Sequence, residues 1–320
     1  MSYRYVQPLR TLVQIGFLFL SVWIGIRFAS FIATVLAGAE TVASRPGGIE
    51  AFLPISGLFG TVAWLKGGGI NPVHPAAVVI FATIVALAFL LRRAFCGWIC
   101  PVGAISEWLW KLGFHNFRRN LVLPKPLDIV LRGIKYLIMG YFIYSALTFS
   151  LDALQGFLFS DYHAVSDYKL MTLFKHPSNI TLIVIGMLLL LSVIFRNPFC
   201  RYLCPYGALL GLVAMLSPTA VQRDKARCIS CGVCNQVCPA RLDVMNAKRI
   251  INAECLGCWR CVSHCRVQNA LQMRVAGRQA INGFLFALLV VGIFWGGSLL
   301  GKLNNHWQTV VTPNEYRQHR

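Results

Sequence analysis

The chain has 320 residues, 57% of them apolar and 13% charged, and its mean hydropathy is positive. The apolar residues fall in long blocks rather than amphipathic periods, which excludes an ordinary soluble domain and indicates a helical membrane protein. A net charge of +19 would suggest nucleic acid in a soluble protein, but these positives gather in the connections between apolar blocks, so nucleic acid is set aside as a partner.

Residues 12–36 form an apolar run long enough to cross about 30 Å of hydrocarbon. A cleaved signal peptide, with the AGA at 37–39 as its cleavage site, is the rival reading, but the run is too long for an ordinary h-region. Arg27 inside it is either a functional charge facing a bundle or a side chain reaching the interface. Residues 37–73 are rich in Gly and Pro, which suits an ordered or re-entrant loop. A second span over 74–91 ends in RRAFCGWICPVGA. An amphipathic piece follows, carrying Trp108 and Trp110 with Arg118 and Arg119 as its basic tail, and is expected to lie in the interface. A third span over 129–149, a polar loop over 150–179 with Asp152, Asp161 and Asp167, and a fourth span over 180–195 come next; the fourth ends in RNPFCRYLCPYGA. A cysteine-rich segment precedes a fifth span over 281–301.

That segment reads CISCGVCNQVCP and, after a connection, CLGCWRCVSHCR. Each half is a C-x2-C-x2-C-x3-C run, the spacing by which bacterial ferredoxins hold two [4Fe-4S] clusters. Three closely spaced thiolates wrap one cubane while the fourth goes to the other. Cys228, Cys231, Cys234 and Cys265 would hold the first cluster, and Cys255, Cys258, Cys261 and Cys238 the second. Zinc ribbons space their pairs more widely, and disulfides are disfavoured on the side of the membrane assigned to this segment.

The ends of the second and fourth spans match at an offset of 104, from Arg92 with Arg196 through Cys96 with Cys200 and Cys100 with Cys204 to Ala104 with Ala208. The match implies two helical hairpins related by an axis along the membrane normal. C-x3-C on a helix puts both sulfurs on one face, one turn apart. Cys96, Cys100, Cys200 and Cys204 would then converge to hold a metal or a third cluster, to cycle between dithiol and disulfide, or to serve as small buried residues shaping helix ends.

Twenty Lys and Arg lie on one side of the five spans and seven on the other. The positive-inside rule makes the first side cytoplasmic, with the N-terminus and the clusters there and the C-terminus outside. The expected fold is an all-α polytopic bundle of four to five transmembrane helices with an internal two-hairpin repeat and an inserted small α+β ferredoxin module. Its divisions are 1–221 for the membrane domain, 222–275 for the module, and 276–320 for the last helix and tail.

Two C-x3-C-P-x-G segments after membrane spans, followed by a double ferredoxin motif, resemble the NapH and MauN type of membrane ferredoxin protein over roughly residues 74–275. Related modules occur in the nitrous oxide reductase activator NosR and in CcoG, an oxidase assembly protein and cupric reductase. The resemblance implies a bacterial inner-membrane protein that takes electrons from menaquinol or ubiquinol and passes them through [4Fe-4S] clusters to a redox partner. It carries over the eight ferredoxin cysteines and the four at helix ends; a metal reductase or metal-centre assembly factor is the alternative. Cys265 precedes Arg266 where ferredoxins often have Pro. Neither the long C-terminal domain of the assembly protein nor the flavin-binding domain of the activator is expected, and the fifth span is extra relative to the four-helix plan.

A quinol site needs hydrogen-bonding and proton-accepting groups near the interface. His74 and Glu50 are candidates on the outer side, with His163 and His176 in neighbouring loops, and Glu107 and His115 on the inner side. The bland reading of His74, a turn histidine beside Pro75, stands against this. No C-x-x-C-H haem motif occurs, and KGGGINP lacks the Lys-Ser/Thr of a phosphate loop.

Overall fold

The computed structural model describes residues 3–38, 43–118 and 120–318; Ala39 of the AGA motif and Arg119 of the basic tail lie outside them. The first helix, α1 (Val6–Leu36), tolerates Pro8 because it falls in the first turn, where a missing N–H costs no hydrogen bond. In α1, Arg27 is exposed, stacks over Trp23 at 6.0 Å and reaches Ser44, so it does not serve as a buried charge. The Gly- and Pro-rich stretch contains a short 3-10 turn (Gly47–Phe52) and α2 (Pro54–Ala63). Next come α3 (Pro75–Leu91), α4 (Pro101–Phe117), which carries the two tryptophans, and α5 (Lys125–Thr148). The region read as a polar loop folds into α6 (Leu151–Leu158), α7 (Asp161–Ala164) and α8 (Ser166–Lys175). α9 (Asn179–Ile194) and α10 (Pro205–Met215) repeat the order of α3 and α4.

Among the described residues three helices are long and apolar enough to cross a membrane: α1 with its leading turn, α5, and α13 (Gly283–Leu303). A fourth is counted if α8 and α9, bent by 79° at their junction, act as one span. α3 has 17 residues, about 25 Å of helix. It is bounded by Pro75 and by Arg92, whose φ of 63° stops an α-helix.

The cysteine-rich segment is framed by a small antiparallel sheet. β1 (Thr219–Arg223) pairs with β2 (Leu271–Val275) from Thr219 opposite Val275 to Arg223 opposite Leu271, and β2 pairs with β3 (Gln279–Ala280). Ala220, Val221, Leu271 and Met273 are its buried apolar side chains. Between the strands lie two short helices, α11 (Val233–Val237) and α12 (Arg260–Ser263). A last helix, α14 (Pro313–Gln318), closes the described chain.

The chain divides into two compact units. One comprises Met1–Leu18, Val85–Met139 and Met187–Ile293 and contains all twelve cysteines. Trp98, Trp259 and Phe286 pack in its core, with Phe286 5.5 Å from Trp98 and 5.6 Å from Trp259 between ring centroids. The other comprises Phe19–Ile84, Gly140–Gly186 and Phe294–Arg320. Its core has one cluster around Phe28, Phe31, Ile49 and Tyr316 and another around Phe59, Val62, Leu154 and Leu158.

Candidate metal centres

Each C-x3-C segment has an unexpected local shape. Phe95–Ile99 and Phe199–Leu203 are single π-turns, closed by Cys100 N–H to Phe95 O (2.9 Å) and Cys204 N–H to Phe199 O (3.0 Å). Cys100 and Cys204 have ψ of 121° and 105°, outside the helical region. The expectation that each pair shares one helix face is therefore corrected: the following prolines, Pro101 and Pro205, push the preceding cysteine out of the α region and start a new helix. The second cysteine of each pair becomes the N-cap, and Cys204 Sγ accepts the Gly207 N–H at 3.2 Å. Gly103 fits here for a steric reason, since a Cβ at that position would collide with the Cys96 carbonyl.

The four thiols lie near enough to one another to interact electrostatically. Cys96, Cys100 and Cys204 all bear electrostatically on Cys200. Burial, then Cys96, pushes the Cys100 thiol up to about 12, and burial drives Cys200 well above the usual thiol value. Thiols so crowded bind as thiolates only against a strong positive charge, as a metal centre supplies. The Arg93 guanidinium, 1% exposed, lies beside Cys96 and Cys200.

In the ferredoxin segment, Cys238, Cys255, Cys258 and Cys261 line one cavity. Cys228, Cys231, Cys234 and Cys265 line a second. Burial, then Cys258, pushes Cys238 up to about 12. Cys228 differs: the Ser230 N–H holds it below the usual thiol value, and Arg223 Nη1 lies 3.7 Å from its sulfur. The Leu242 N–H points at Cys238 Sγ (3.5 Å). Hydrogen bonds and positive charges aimed at sulfur are what an anionic iron-sulfur cluster needs around it. All twelve cysteines are free. Among the described residues no three His, Cys, Asp or Glu side chains converge tightly enough for a single metal ion. These residues fit [4Fe-4S] clusters.

The helix-end thiols and the ferredoxin segment touch through backbone. A Cβ on Gly97 would lie 2.8 Å from the Leu256 carbonyl, so only glycine permits this approach. Trp98 Nε1 donates to Gly257 O (3.0 Å), and Arg93 Nη1 donates to Ala253 O (3.0 Å). Three buried ionic groups brace the same region. Glu107 pairs with Arg10, Lys111 and Arg260, and Gln7 on α1 donates to the Cys258 carbonyl. Glu254 sits between Arg93 and Lys135. Asp128 receives Arg201, Arg132 and the Tyr202 hydroxyl.

Among the quinol candidates, Glu50 and His74 are brought together: both are buried, with His74 Nδ1 3.4 Å from Glu50 Oε1. His74 Nε2 meets the carbonyl of His163, and Arg45 bridges Glu50 and Asp167. His176 caps α8. Glu107 is committed to its cations, which outweigh burial and hold its carboxyl at about 2, a poor proton acceptor. His115 is exposed two turns farther along α4 and is not joined to it. Sequence reasoning missed Arg10, Arg93, Lys135 and Glu254. The available signal was charge inside or at the end of apolar helices, which is costly unless partnered.

A family model described as a 4Fe-4S binding domain matches residues 73–121 and again 180–223, the two C-x3-C-P regions. A 4Fe-4S dicluster domain model matches residues 220–266. The putative electron transport protein YccM of Escherichia coli is 38% identical over 99% of this chain and 91% of its own length. The ferredoxin-type protein NapH of Escherichia coli is 26% identical over 60% of this chain and 66% of its own. MauN, a methylamine utilization ferredoxin-type protein of Methylorubrum extorquens, is 28% identical over 65% and 69%. The chain belongs to the NapH/MauN-type family of ferredoxin-type membrane proteins. Most of each matched stretch, with all twelve cysteines, lies in one of the two units, and a metal reductase is not favoured. No solved structure matches.

Proposed function

We propose that the protein relays electrons from the quinol pool of a bacterial cytoplasmic membrane to a redox partner through three [4Fe-4S] clusters. The carrying observation is that the twelve thiols form three sets of four in one unit, the helix-end set pressed through Gly97 onto the backbone between Cys255 and Cys258. When bound, the clusters supply one-electron carriers within a chain of contacts. Cys96, Cys100, Cys200 and Cys204 hold the centre at the helix ends. Cys238, Cys255, Cys258 and Cys261 hold the middle one, and Cys228, Cys231, Cys234 and Cys265 the outermost. Arg93, Arg10 and Arg223 offset the negative charge, and buried Trp98 and Trp259 keep water from the middle site. Cys231 is exposed, so the outermost set faces the partner.

In the membrane reading, α3 and α9 cross together with α1, α5 and α13, and the excess of Lys and Arg places the cysteines in the cytoplasm. Glu50 and His74 are the quinol-side proton acceptors of this reading. The test is anaerobic iron and sulfide analysis with spectroscopic redox titration. Wild type should hold about twelve irons, and Cys96→Ser/Cys204→Ser about eight, with the ferredoxin signals retained. Eight irons in both proteins would remove the third cluster, and clusters that no quinol analogue reduces would remove the quinol.

A further inference from the structure

The cysteine-bearing unit contains a cavity of about 300 Å³ at the N-terminal end of α5. Lys125, Arg132, Arg196, Arg201 and Arg241 line it, with Asp128 the one carboxylate on its wall. That carboxylate is already engaged: Arg201 binds both its oxygens at 2.8 Å and Arg132 lies at 2.7 Å. Among the described residues no carboxylate lies within ion-pair distance of Lys125, Arg196 or Arg241. Arg241 donates to Leu121 O (2.7 Å) and Arg196 to Gln236 O (2.8 Å), neutral acceptors that leave the charge uncompensated. Lys125, Arg196 and Arg241 thus line one cavity without a carboxylate of their own, a wall that calls for an anion. The remaining wall is apolar, and Val122 (68% exposed) and Ile129 (62%) carry it to the surface of a helix long enough to span a bilayer.

A cavity with a surplus of cations on one side and an apolar lip beside a spanning helix matches one amphiphile well. We propose that it binds the phosphate headgroup of an anionic phospholipid, whose acyl chains run along α5. A neutral quinol head would leave the surplus charge unanswered. The proposal rests on α5 crossing the bilayer, not on the cluster count or the electron donor.

The test is native mass spectrometry of the detergent-solubilised holoprotein titrated with phosphatidylglycerol, with phosphatidylcholine, and with inorganic phosphate. Phosphatidylglycerol is expected to bind in preference to phosphatidylcholine. With about 1 kcal/mol per surface cation, or roughly fivefold each, Lys125→Gln/Arg241→Gln should weaken binding about 25-fold. Lys225→Gln/Arg278→Gln, at exposed cations outside the cavity, should bind as wild type. Cluster absorbance verifies folding. If the double variant fails to fold, the exposed Lys125→Gln alone should show the fivefold step. Wild-type binding by a folded variant overturns the site, and retention of inorganic phosphate without preference between the two lipids overturns the lipid.

Discussion

Replacing Glu254 by Gln tests the claim that a buried carboxylate secures the helix end to the cluster segment. Glu254 is 6% exposed, and its Oε1 lies 2.5 Å from Lys135 Nζ and 3.3 Å from the Tyr136 hydroxyl, its Oε2 3.3 Å from Arg93 Nη1. Lys135 and Arg93 are buried in turn, so the variant strands two cations away from water. Breaking such a group from one side costs about 3–5 kcal/mol, a large part of the ~5–15 kcal/mol that holds a typical fold. Denaturant unfolding of the anaerobic, detergent-solubilised protein, followed by Trp fluorescence and cluster absorbance together, measures it. Lys135→Met/Glu254→Gln removes one stranded cation with the carboxylate and should recover more than about 1 kcal/mol relative to Glu254→Gln. The pH dependence has a definite sign. Burial works against the ionised form, but Arg93 and Lys135 outweigh it and hold Glu254 below its ordinary 4.5. Its stabilisation is therefore present above about pH 4.5 and lost as the pH falls toward the folded value, a dependence absent from Glu254→Gln. A Glu254→Gln protein within ~1 kcal/mol of wild type, or strictly additive substitutions, would refute the reasoning.

Further outcomes follow from the same geometry. Gly103→Ala should lower iron content and stability more than Gly207→Ala, because the new Cβ meets a backbone carbonyl at 103 but a side-chain nitrogen of Arg93 at 207; iron analysis of both decides it. Burial, then His74, lowers His163 to about 4. It is thus neutral in the fold at pH 7, and stability present above pH 6.5 should fall by about 3 kcal/mol as the pH drops to 4, a slope that His163→Asn removes in unfolding experiments. Brief oxygen exposure should bleach the cluster held by Cys228, Cys231, Cys234 and Cys265 before the others, because Cys231 is exposed whereas Cys255 and Cys258 are buried; electron paramagnetic resonance of the reduced samples distinguishes them.

Three of the four thiols in each ferredoxin set are grouped locally in the chain, and the fourth comes from the other run. C-x2-C-x2-C-x3-C sets reach within one or two turns, and apolar runs mark helices by composition, so both are visible without tertiary knowledge. The π-turns at Phe95 and Phe199 are less visible, because C-x3-C-P reads equally as one continuing helix until the proline's effect on its neighbour is weighed. α5 begins at Lys125, ahead of the expected apolar run, because Lys125 and Asp128 lower its hydropathy yet sit in its first turn. The ionic braces were hidden for another reason. Glu254 meets Lys135 across 119 residues and Glu107 meets Arg10 across 97, and no local rule pairs positions so distant. For that reason Glu107 reads as a free proton acceptor in sequence and as a structural counter-ion in the fold.

The seating of Gly97 and Trp98 on Leu256 and Gly257 bears on how the molecule is made. A ribosome delivers Cys96, Cys100, Cys200 and Cys204 before the backbone on which Gly97 and Trp98 rest, and Cys265, the last ligand of its cavity, later still. During synthesis the upstream thiols therefore wait beside unfinished walls. Their encounter with oxidants and stray metals belongs to this interval of biogenesis, before residues 255–265 close the wall around them.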